Sequence, residues 1–151
     1  MPQRKTRVIA SGVVIGLAGF FSMIAFIMSD CGGSFGRCIA SGGEVILAAI
    51  IGAALAGMVF YALFGGVGRK GWLLATLGSV LVTSVGAMLA VLVLGLWSGE
   101  SVLNDLTVVL IGPWFILLMF DKIPLMILVW IGIMAAAHLV LRRYYQNDTK
   151  L

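Results

Sequence analysis

The sequence predicts an all-α integral membrane protein with four transmembrane helices. Three observations carry that prediction. First, Val8–Ser29, Val45–Phe64, Trp72–Trp97 and Ile123–Leu141 contain no Asp, Glu, Lys or Arg. Each stretch approaches or exceeds the roughly 20 helical residues that cross a bilayer's hydrocarbon layer. Second, 62% of the chain is hydrophobic and only 11% charged, whereas a soluble domain usually carries about 25% charged residues. Third, the basic residues crowd the ends of the apolar stretches rather than forming a separate patch. A net charge of +4 therefore points to membrane topology and anionic headgroups, not to nucleic acid. The 151 residues form one membrane domain with no room for a soluble one.

Arg4, Lys5 and Arg7 before an apolar run resemble the start of a signal peptide. The run is longer than the usual h-region and no small-residue cleavage site follows it, so an uncleaved first span is expected. Cys31 invites comparison with a lipoprotein site, but Asp30 before it is a poor fit to the small residue needed there. Within this span Gly12 and Gly16 form a GxxxG pair, with Gly19 beyond them. Such small residues let helix backbones approach closely in lipid.

The second span is expected to start beside Glu44. Ser41 and Glu44 have the spacing of a capping box, in which two side chains satisfy free N–H groups at a helix start. Ala49, Ala53 and Gly57 then share one stripe, with Gly52 and Ala56 beside it. Between the second and third spans, Gly66–Gly71 matches the letters GxGxxG. It lacks the strand and βαβ unit of a dinucleotide fold, so it reads as a flexible hairpin. The third span repeats Ser79, Thr83 and Ala87 and is bracketed by Trp72 and Trp97. Tryptophans so placed suit the headgroup level, as do Tyr144 and Tyr145 after the last span. That span carries Gly132 and Ala136 as its small pair.

Residues 103–120 complicate the count. Leu106–Phe120 is apolar but short, and Gly112-Pro113 interrupts it. With the N-terminus in the cytoplasm and four spans, Arg4, Lys5, Arg7, Arg69, Lys70, Arg142, Arg143 and Lys150 lie inside, and Arg37 and Lys122 outside. This eight-to-two bias follows the positive-inside rule. A fifth span at 106–120 reduces it to six against four. Four spans with a re-entrant or interfacial 103–120 segment is the leading expectation, and five spans the alternative.

Candidate chemistry is sparse. Cys31 and Cys38 flank a Gly-rich loop, and a disulfide stapling that loop is expected in an oxidising compartment. Redox activity is the alternative, without a Cys-x-x-Cys spacing to support it. No further ligands complete a zinc site. Glu44, Asp105, Asp121 and Lys122 are the candidates for a polar or ion site, because ionisable groups at membrane depth are often functional. For Glu44 the plainer role is the helix cap. His138, the single histidine, reads as an interface residue near a helix C-terminus. A haem held by two axial histidines of one chain is not available. Gly12, Gly16, Ala49, Ala53 and Gly57 are the candidate packing residues, either within the bundle or against a partner.

No catalytic residue, metal site or cofactor is expected. The leading functional expectation is a non-enzymatic accessory or scaffolding subunit in a bacterial inner membrane, with both termini cytoplasmic. Its expected partners are the bilayer and another membrane protein or a second copy, not nucleic acid. The alternatives are a small oligomeric transporter or channel component, and a lipid-modifying or redox enzyme.

Overall fold

The computed structural model of the chain describes residues 2–30, 35–98, 113–114 and 125–148, with side chains at 4–28, 42–97, 113–114 and 125–147. Every regular element among them is helical. α1 spans Pro2–Asp30, α2 Phe35–Val59, a 3₁₀ turn Tyr61–Leu63, α3 Gly68–Ser98 and α4 Leu125–Asp148. Four helices are long and apolar enough to cross a membrane, over Arg4–Met28, Gly42–Val59, Gly68–Trp97 and Leu125–Asn147.

The helices outrun the apolar stretches because the flanking residues, though polar, are compatible with helix. Pro2 opens α1, where its missing N–H is one of the first-turn donors that lack a helical acceptor anyway. α2 begins well before Val45, at Phe35. This corrects the expected capping box: Ser41 and Glu44 lie inside α2, where the backbone N–H groups already have helical acceptors. α2 ends sooner than Phe64. Its last turn tightens into 3₁₀ geometry, Phe64 is extended, and Gly65 turns left-handed at φ +79°. Gly68 does so again at φ +75°. Glycine reaches this region at little steric cost. The turn is close-packed: a Cβ on Gly66 would come within 2.9 Å of the Gly71 Cα.

Successive helices run antiparallel. Along α1, Gly12, Gly16 and Gly19 meet Met58, Ala54 and Ala53 of α2 in descending order. A Cβ at Gly16 would lie 3.2 Å from that of Ala54, and one at Gly19 would lie 2.7 Å from that of Ala53. α2 and α3 approach closest at Gly52 and Gly86, where a Cβ on Gly52 would strike the Gly86 carbonyl and the Ala90 N–H. α4 returns along α1, with the Tyr145 hydroxyl donating to the Arg7 carbonyl at 3.2 Å. Both helix-terminal regions, 2–7 and 142–148, therefore share one end of the bundle with the 60–67 turn. Ile15, Val82, His138 and Leu141 fill the centre.

Candidate functional site

Three features invite a functional reading: an apolar cavity, a buried histidine and a basic pocket. The cavity lies in the half of the bundle away from the termini. It measures about 450 Å³ and is walled by Phe26, Val45, Leu94, Met126, Trp130 and Met134, among others from all four helices. Its few polar groups are mostly spoken for. The Thr83 hydroxyl donates to the Ser79 carbonyl at 2.7 Å and accepts from Trp130 Nε1 at 3.1 Å. Helix hydroxyls often return to the i−4 carbonyl in this way, and Ser79 does the same to Ala75 at 2.8 Å. No described charged side chain lines the cavity. Its chemistry suits hydrocarbon and gives a bare ion no ligand shell.

His138 corrects a sequence expectation. α4 continues to Asp148, so His138 is interior rather than at a helix end, and it is only 1% exposed. Its Nδ1 accepts the Gly65 backbone N–H at 3.3 Å. A ring nitrogen that accepts carries no proton, so in the neutral ring the proton sits on Nε2. That atom is buried without a hydrogen-bond partner. The Trp72 ring lies against the imidazole, centroids 4.8 Å apart. One histidine with no second ligand beside it does not make a metal site. Among the described residues no group of three His, Cys, Asp or Glu converges.

The third feature is a pocket of about 460 Å³ at the end bearing the termini, lined by Arg7, Phe64, Gly65, Gly66, Val67 and Tyr145, with Tyr61, Ala62 and Gln146. Tyr145 also departs from the expected aromatic belt. It is only 9% exposed, and its ring is so close to Gly65 that a Cβ there would overlap it. The Arg7 guanidinium sits over the ring, 5.1 Å from its centroid, within cation–π range. Arg4 Nε donates to the Tyr61 hydroxyl at 3.0 Å. Tyr144, Trp72 and Trp97 remain exposed.

The other predicted residues are dispersed. Glu44 is exposed on α2. Asp105, Asp121 and Lys122 lie outside the described residues, as does Cys31; Cys38 is in α2, with its side chain outside the described set. The proposed disulfide and ion site thus fall outside what is described. Gly12, Gly16, Ala49, Ala53 and Gly57 meet at the α1–α2 seam, where a Cβ on Gly57 would lie 2.7 Å from the Ile15 Cβ. Sequence reasoning missed Gly86 and Gly78 as close-approach positions. The small-residue run Ala75, Gly78, Ser79 and Gly86 on one side of α3 was the available signal.

Comparison of the chain with protein-family models, curated proteins and solved structures finds no match.

Proposed function

We propose that this protein sits in a cytoplasmic membrane with both termini in the cytoplasm and serves as a non-enzymatic accessory or scaffolding subunit of a membrane complex. The membrane reading is supported by the exterior. Ile9, Val13, Leu17 and Phe21 form an exposed stripe on α1, and Leu73, Leu77 and Val80 do so on α3. Water would penalise such surfaces at about 25 cal/mol per Å², whereas lipid would not. The orientation is supported by the basic residues gathered at the end bearing both terminal regions. α3 and α4 are antiparallel, so Ser98 and Leu125 lie at the same end of the bundle. That favours four spans over five.

The accessory role rests on one observation. Most small-residue faces are consumed inside the bundle, but that of α4 is not. Gly132 and Ala136 are exposed, and a Cβ on Gly132 would meet nothing within 4 Å. A carrier of ions or polar solutes would instead need polar groups facing a shared cavity, and the cavity here is walled by hydrocarbon. Affinity purification in mild detergent, comparing the native chain with Gly132→Ile, tests the proposal. A membrane protein that co-purifies with the native chain and is lost from the variant supports it. An unchanged partner set overturns the docking face, and the absence of any partner overturns the accessory role.

A further inference from the structure

We propose that the pocket between Arg7, the 64–67 turn and Tyr145 binds a phosphate group, presented by the headgroup of an anionic phospholipid. This rests on the membrane reading and not on the accessory role.

The pocket offers donors on several sides. Arg7 supplies a planar guanidinium, whose fork of N–H groups matches phosphate oxygens. It is positioned by the Tyr145 ring beneath it. The backbone N–H groups of Gly66 and Val67 also belong to pocket-lining residues. Among the described residues neither has an acceptor. Val67 is exposed and Gly66 partly so, which leaves both amides open to water or to a ligand. The 31-residue helix α3 begins at Gly68, directly after them, so its positive dipole end and first N–H groups adjoin the same space.

Charge complementarity extends beyond the pocket. Arg4, Lys5, Arg69, Lys70, Arg142 and Arg143 surround this end. By sequence Asp148, the last residue of α4, is the acid at this end, against these six cations, and Glu44 lies in the half of α2 away from the pocket. Topology alone asks only that cations lie near span ends. It does not ask for a concave site with an oriented arginine and unsatisfied amides. The exposed Tyr144 and the half-buried Tyr61 place the pocket at the depth where amphipathic rings meet headgroups. Basic pockets between helices at the cytoplasmic face suit anionic headgroups.

The test uses the full chain in nanodiscs of phosphatidylcholine with or without phosphatidylglycerol, and separately in detergent with inorganic phosphate. Co-elution with the disc checks the membrane reading by itself. Hydrogen exchange should show the amides of Gly66 and Val67 slowed in phosphatidylglycerol discs relative to pure phosphatidylcholine. Slowing by inorganic phosphate in detergent would keep the site and reassign its source to free phosphate. Native mass spectrometry should show phosphatidylglycerol retention falling by at least about tenfold in Arg7→Gln, the size expected for a hydrogen bond between charged groups and more than the roughly fivefold loss of one general surface cation. Arg143→Gln removes the same charge outside the pocket and should leave retention closer to native. Equal losses in the two variants would reduce the effect to general surface charge and overturn the proposal. Unchanged exchange at 66–67 with both probes overturns it without any variant, so a poorly folding Arg7→Gln leaves the test intact.

Discussion

The backbone N–H of Gly65 donates to His138 Nδ1 across 3.3 Å, joining residues 73 positions apart. This bond fastens the α2–α3 turn to the interior of α4, beneath the Trp72 ring. It gives the single histidine a structural task, as the acceptor for an amide that the left-handed turn removes from helical pairing.

Replacing His138 should therefore destabilise the protein in a diagnostic way. His138→Phe restores ring volume but no acceptor, so the buried Gly65 N–H loses its partner at a cost of about 1–3 kcal/mol, offset in part by removal of the buried, unpaired Nε2–H. His138→Ala adds a cavity and should cost more. Thermal denaturation in detergent checks the order. A His138→Phe variant as stable as the native chain would show that the bond contributes no more than the unpaired Nε2–H costs.

The glycines should separate by what faces them. Gly52→Ala drives a methyl into the Gly86 backbone, which cannot yield without parting α2 from α3, and should cost at least about 1–3 kcal/mol. Gly12→Ala meets the Met58 side chain, at 2.6 Å to its Cγ and 2.7 Å to its Cε, with the Ala54 carbonyl at 3.2 Å; Met58 must change rotamer, a smaller shift than parting two backbones. Gly132→Ala meets nothing and should be neutral or stabilise by up to about 1 kcal/mol through helix propensity. Folding yield and melting temperature should rank the variants Gly52, Gly12, Gly132 from worst to best.

Thr83→Val keeps the side-chain volume but removes the acceptor of Trp130 Nε1. Interhelical hydrogen bonds of this kind contribute about 0.6 kcal/mol in membrane bundles. The expected result is a small loss of stability together with a shift in tryptophan emission. Emission identical to that of the native chain would mean that this bond does not fix the α3–α4 pair.

Reporter fusions after Arg7 and after Lys150 should both report the cytoplasm. The motivation is the shared end of 2–7 and 142–148 and the basic residues gathered there. Opposite signals from the two fusions would require an odd number of crossings and would overturn the four-span reading.

The intact, unreduced protein should weigh less than its reduced form by the two thiol hydrogens of Cys31 and Cys38. The short Gly-rich separation of the two cysteines motivates this expectation. Free thiols trapped by acid quench during isolation would refute it.

The sequence by itself determined the helical class and the positions of four apolar helices. Both follow from local properties: runs of uncharged residues long enough to span lipid, and cations at their ends. It also marked Gly12, Gly16 and Ala53 as small-residue positions, since GxxxG-like spacing is visible along one helix. Tertiary structure decided how those residues are used. Gly12 and Gly16 face α2, whereas Gly132, with similar local spacing, faces outward, because only the arrangement of neighbours distinguishes a seam from a surface. It also decided that Glu44 is inside a helix rather than capping one, since nothing between Phe35 and Ser41 stops α2 from starting early. His138 and Tyr145 changed most, from interface residues to interior ones. Their partners, Gly65 and Arg7, are 73 and 138 positions away in sequence. Contacts at that separation exist only once the four helices have been laid side by side, and no one-dimensional pattern encodes them.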